Sequence, residues 1–330
     1  MSALVGRVVP QLVTLYRSRW FRRTVPTLFL VVSLAAMGRT ISTQFAGIQA
    51  SISTLRYEFV IAGFLTLATS AIGGGIYWQC LLRSCGSSLG TFAAVRIWCL
   101  STTSKYGLGI VWQYAGRMYL AERAGVGRRV VMASVALELG LITLSGVVLA
   151  GTLGSPEFDQ VSPRRLLPSL TLWLAAALVV ALLLVGRPLL RRLLGESWAT
   201  NRAGFLWLAV ATGIVVVNWL LLGVAACFLA LAVAPLPVTA YVPVVVSVTL
   251  AVLAGLIAVT PLGVGVRDVT LILLLGQILP LPEATLVSLL HRLLGVVAEF
   301  ACAGAALVVL PPSDPGETRG SAVKAVQKVS

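Results

Sequence analysis

The sequence predicts an all-α polytopic membrane protein, and three observations carry that expectation. Of 330 residues, 58% are hydrophobic and only 11% charged, with a mean hydropathy of +0.97, whereas soluble domains carry about 25% charged residues. Eight apolar runs approach the roughly 20 residues that a helix needs to cross about 30 Å of hydrocarbon. They lie near residues 25–45, 58–82, 89–104, 129–152, 168–186, 204–233, 238–260 and 284–310. The net charge of +14 sits in short arginine clusters between these runs, where topology signals belong, and not on one soluble arm. Nucleic acid is therefore not an expected partner.

The elements follow in order. Residues 1–24 form a basic segment with Arg7, Arg17, Arg19, Arg22 and Arg23, expected on the cytoplasmic side of the cell membrane. No small-residue cleavage pattern follows the first apolar run, so it reads as a span and not as a signal peptide. Residues 25–310 read as one membrane domain, in halves of about 25–152 and 168–310. Residues 311–330 read as a flexible polar tail. Two further stretches, about 106–122 and 261–279, are interrupted by glycine, proline or charge, and either cross or re-enter. If the clusters Arg123–Arg129 and Arg187–Arg202 share the N-terminal side, eight full spans alone give the wrong parity. Counting 106–122 as a crossing, complete or in pieces, restores it. The two halves are then inverted relative to each other.

A shift of 154 residues lays Leu108–Gly109 on Leu262–Gly263 and Ser134 on Ser288, and it sets Glu138 against Arg292. Gly109 to Glu138 and Gly263 to Arg292 are the same 29 steps. Inverted repeats with broken helices are a recurrent transporter design, with the site near the midplane.

Charges inside apolar helices are costly and face a partner or a wet cavity. Those away from expected helix ends are Arg96, Arg117, Glu138, Arg267, Asp268, Arg292 and Glu299, with Lys105 nearer the interface. Ser134 and Ser288 lie one turn before Glu138 and Arg292, and Glu299 falls on the face of Arg292. Glu138 and Arg292 read either as an ion pair pinning the halves together or as liners of a polar path. The stretch "TPLGVGVRDV" concentrates the anomalies. Pro261 ends a helix ladder, and Gly263 and Gly265 permit unusual backbone angles. Such backbone at membrane depth is tolerated only inside protein or beside an aqueous cavity. A helix starting there aims free N–H groups at the break, with Arg267 placed to grip a phosphate and Asp268 to cap the helix or steer Arg267. The counterpart "SKYGLGIVWQYAGRMYL" holds Lys105, Tyr106, Gly109 and Arg117.

Five cysteines, Cys80, Cys85, Cys99, Cys227 and Cys302, all lie in or beside apolar runs, and His291 is the only histidine. The cysteines read as packing residues, His291 as a packed or hydrogen-bonded helix residue, and no metal or other cofactor is expected. There is no GxxxxGK[ST] nucleotide loop.

The pattern K-Y-x-x-G-x-V-W…G-R…G-V before a helix with L-E-L, then P-L-G-x-G-V-R-D before a helix with H-R-L-L, resembles the lysylphosphatidylglycerol synthase transmembrane-region family. The resemblance covers about 25–310. It implies movement of lipids with modified headgroups between leaflets. It also implies site roles for Lys105, Tyr106, Gly109, Arg117, Glu138, Pro261, Gly263, Gly265, Arg267, Asp268 and Arg292. Gly107 stands where the family usually has proline, and Asp268 where glutamate is common. The family's aminoacyl-transfer domain has no counterpart in these residues, so aminoacylation is not expected of them.

The expected function is a lipid flippase acting on a phosphate-containing headgroup, beside a separate lipid-modifying synthase or glycosyltransferase. A membrane-embedded transferase and a non-transporting lipid-binding accessory subunit are the alternatives. Against the transferase, the only aspartates are Asp159, Asp268 and Asp314, and no DxD occurs.

Overall fold

The computed structural model describes residues 42–153, 202–257 and 265–309, with 38, 39 and 195 besides. Among the described residues every element is helical: α1 Phe45–Ser53, α2 Tyr57–Ser84, α3 Thr91–Thr103, α4 Lys105–Leu108, α5 Ile110–Arg123, α6 Arg128–Leu153, α7 Arg202–Val233, α8 Tyr241–Ile257, α9 Val266–Leu275 and α10 Leu281–Val309. Five segments are long and apolar enough to cross a membrane: Tyr57–Ser84, Arg128–Leu153, Ala203–Val233, Val238–Leu256 and Leu281–Val309. Their outward faces expose Ile61, Leu65, Phe205, Leu206, Val217 and Phe300, an apolar belt that water would not tolerate on this scale.

The expected spans at 168–186 and most of 25–45 lie outside the described residues, as do Pro261, Gly263 and the tail. The run 89–104 differs from its expectation as a full span. It forms α3, 13 residues long, which covers about 20 Å at 1.5 Å per residue, short of a bilayer. The chain then breaks at α4 and turns back as α5, 14 residues long. Leu89 and Ala94 at the start of this hairpin share one apolar cluster with Ala121, Ala124 and Val126 at its end. The segment 106–122 is thus the return leg of a hairpin and not a complete crossing. In the second half α8 and α9 pack on each other, and Leu275 and Leu279 return to the cluster that holds Ala240 and Val244.

The two halves repeat one order: a long helix (α2, α7), two packed legs (α3 with α5, α8 with α9), then a second long helix (α6, α10). The equivalent helices α2 and α7 run antiparallel against each other. Phe59 stacks near Phe228 with centroids 6.5 Å apart, Gly73 meets Asn218, and the Arg83 guanidinium lies 4.4 Å over Trp207. Packing is exchanged between the halves as well. Leg α3 lies on α10 and leg α8 on α6, so each hairpin is clasped by the other half.

Small residues allow this closeness, as they do where lipid provides no hydrophobic drive. A Cβ on Gly75 would lie 2.8 Å from Val95 Cα, and one on Gly223 2.7 Å from both Val245 methyls. In both halves the contact joins the first long helix to the first leg. Gly75→Ala is expected to destabilise by about 1–3 kcal/mol by overpacking. Trimming Val95 to alanine should rescue little, because the clash at Gly75 is with backbone. Thermal melting in detergent, with both variants, checks this.

Candidate functional site

The tip of the first hairpin and the start of α9 border one cavity, and a glycine stands at each. Gly109, between α4 and α5, has φ +94, and Gly265, just before α9, has φ +87. A side chain is strained at either angle. The Gly265 N–H donates to Asp268 Oδ2 at 3.1 Å, so the carboxylate caps the first turn of α9. The same Oδ2 accepts from Arg292 Nη1 at 2.6 Å. Asp268 therefore holds Arg292 on α10, and not Arg267, which the sequence reading allowed it to steer.

Of the two readings of Glu138 and Arg292, the ion pair between them is not formed, and both line one cavity. Glu138 is bound instead by Arg117, Nη1 to Oε2 at 2.5 Å, with both side chains almost wholly buried. Arg117 Nε also donates to Ser101 Oγ at 3.4 Å. The guanidinium lies 4.0 Å over Trp98, 5.3 Å over Trp78 and 5.5 Å over Tyr114, a cage that offsets part of its lost hydration. Each half thus ties its return leg to its second long helix by one ion pair, with the charges exchanged. The leg carries the cation in Arg117–Glu138 and the anion in Asp268–Arg292. The reason is geometric: Glu138 and Arg292 match by sequence offset, and equivalent positions in two antiparallel halves need not touch.

The halves are bridged elsewhere. Lys105 Nζ at the first tip sits 2.7 Å from both carboxylate oxygens of Glu299 on α10, and the adjacent Tyr106 ring lies 5.5 Å from Phe300. Both charges keep some solvent contact, so the pair contributes about 1 kcal/mol or less. Lys105→Met should lower thermal stability only slightly, yet speed backbone exchange at 103–110. The swap Lys105→Glu with Glu299→Lys should recover the protection that either single change loses. Hydrogen-exchange mass spectrometry reads this, and a swap no better than the singles would remove the bridge from the account.

Arg267 differs from the other site cations. Its Nη2 lies 3.2 Å from His291 Nδ1, and His291 Nε2 lies 3.1 Å from the Leu222 carbonyl. A carbonyl only accepts, so Nε2 carries the proton and Nδ1 accepts from Arg267. His291 is thus a buried strut orienting Arg267. Among the described residues no carboxylate pairs with Arg267.

Around these groups lies a cavity of about 870 Å³, whose lining includes Lys105, Tyr106, Gly109, Glu138, Arg267, Arg292 and Glu299. Arg117 and Asp268 stand behind it, each bonded to a lining residue. Ile110, Val111 and Leu256 also line it and are exposed, which gives the cavity an exposed apolar rim. Sequence reasoning missed the neutral liners Thr102, Gln113 and Asn218. A single amide or hydroxyl in an apolar helix is too common to stand out, and only the cavity singles these out. The five cysteines are free thiols, all buried.

No family model matches the chain, and no curated protein matches it.

Proposed function

We propose that the chain is a lipid translocator that passes a phosphate-containing headgroup through this cavity while the acyl chains remain in the bilayer. The observation that carries the reading is the charge balance. Four cations (Lys105, Arg117, Arg267, Arg292) face three carboxylates (Glu138, Asp268, Glu299), and each carboxylate is already engaged. Among the described residues one of these cations, Arg267 in the first turn of α9, pairs with no carboxylate, and a guanidinium so placed can take a phosphate. The exposed apolar rim at Ile110, Val111 and Leu256 supports a lipid over a free anion. The resemblance to the lysylphosphatidylglycerol synthase transmembrane-region family points the same way.

In this reading the fold is an inverted-repeat transporter with the site between the repeats, built on eight long apolar runs of which 89–104 only re-enters. A hairpin that re-enters returns the chain to its starting side, so Arg123, Arg128 and Arg129 remain cytoplasmic with the N-terminus in the cell membrane. A separate synthase or glycosyltransferase supplies the lipid.

The test is reconstitution into phosphatidylglycerol-containing vesicles carrying a trace of headgroup-proximal fluorescent phospholipid. Addition of membrane-impermeant dithionite should bleach nearly all fluorescence in protein-containing vesicles, against about half in protein-free ones, since a vesicle exposes about half its lipid. Equal protection in both would remove the translocator reading and favour an accessory lipid-binding subunit.

A further inference from the structure

The same cavity says which headgroup it suits. Among the described residues, every carboxylate around it is held by one of the chain's own cations: Glu138 by Arg117, Asp268 by Arg292 and Glu299 by Lys105. A cationic headgroup would have to take Glu138 or Asp268 from its arginine, which leaves a buried charge unpaired, or compete with Lys105 for Glu299. Three of the cavity's aromatic rings, which could otherwise receive an ammonium, already carry a cation of the chain. Trp98 and Tyr114 lie under Arg117, and Tyr106 lies under Lys105. Among the described residues the surplus in the site is a single positive charge, which matches a phosphodiester monoanion better than a phosphomonoester that carries nearly two.

The remaining polar equipment is neutral and unused. Thr102 is 6% exposed, lines the cavity, and its Oγ1 is buried without a hydrogen-bond partner. Gln113 is 7% exposed, and Asn218 stands against Gly73 in the middle of α7. Both line the cavity, and neither amide has a hydrogen-bond partner among the described residues. A buried hydroxyl such as that of Thr102 is ordinarily paired, and an amide offers both donors and an acceptor, the complement of hydroxyl groups that do both. Arg267 is anchored through His291 to the carbonyl of Leu222, one turn beyond Asn218 on α7, so the cation and this amide belong to one wall of the cavity.

We infer that the headgroup taken by this cavity is a phosphodiester monoanion bearing a neutral, hydroxyl-rich substituent. Arg267 holds the phosphate, and Thr102, Gln113 and Asn218 hold the hydroxyls. Ammonium-bearing headgroups are selected against. This rests on the translocator reading of the site and narrows it.

The experiment is competitive lipid retention by the purified full-length chain. Phosphatidylglycerol, phosphatidylethanolamine, lysyl-phosphatidylglycerol, phosphatidic acid and diacylglycerol with identical acyl chains are mixed in equal amounts, and bound lipid is read by native mass spectrometry. Wild type is expected to retain phosphatidylglycerol at least tenfold over each of the others. Asn218→Leu and Gln113→Leu, on different helices, should still retain phosphodiesters over diacylglycerol. Their preference for phosphatidylglycerol over phosphatidylethanolamine should fall towards one. Retention of either ammonium-bearing lipid as strongly as phosphatidylglycerol overturns the inference, as does an unchanged preference in whichever variants melt like wild type. If wild type retains no phospholipid over diacylglycerol, the translocator reading itself fails, a result distinct from the loss of selectivity.

Discussion

Replacing Glu138 by alanine is expected to lower stability by about 3–5 kcal/mol, the cost of stranding a buried charge. Arg117 has no exposed surface, and among the described residues Glu138 is the one carboxylate that pairs with it. Its other support is Ser101 and three aromatic faces. Ring faces and one hydroxyl do not replace a carboxylate beside a guanidinium with no exposed surface. The double change Arg117→Met with Glu138→Leu should recover most of the loss, because removing both members of a buried pair is often neutral. Thermal melting and the monodisperse fraction after extraction measure this. A Glu138→Ala protein that melts with wild type, or a double variant no better than the single, would show that the pair does not hold α5 to α6.

Arg267→Gln is expected to act on lipid and leave the fold alone. With no carboxylate to strand, the substitution should shift the melting temperature little. Lipid retention and translocation should fall about 10–100-fold, the equivalent of the roughly 1.5–3 kcal/mol of a hydrogen bond to a charged group. Arg267→Lys should recover only part, since an ammonium keeps the charge and loses the planar fork that grips two phosphate oxygens. His291→Leu should reproduce a weaker form of the same loss by freeing Arg267 from its strut. Normal translocation by a well-folded Arg267→Gln protein would shift the function towards an accessory role.

The glycines and the charges were legible in the sequence because each breaks a local rule. Gly109 and Gly265 interrupt apolar helices, and both stand at positive φ at a tip. Glu138 and Asp268 carry charge where hydrocarbon composition rules, and both are buried and paired. The offset of 154 residues also reads as one order of elements in each half. Spans were legible where the apolar run was long. The run 89–104 was not, because its composition suits a short buried helix as well as a span, and length alone separates the two.

The sequence by itself thus determined a helical, membrane-embedded chain with two broken segments and a set of charges that must find partners. The cost of burying a charge or breaking a helix ladder is local, so it is written in the order of residues. Which charge meets which was decided only by the tertiary structure. Arg117 took Glu138, Asp268 took Arg292, Lys105 crossed between the halves to Glu299, and Arg267 was left over. Those outcomes depend on the antiparallel seating of α2 on α7 and the exchange of hairpins. Packing sets the few ångströms between side chains far apart in sequence, and an ion pair is won or lost over that distance.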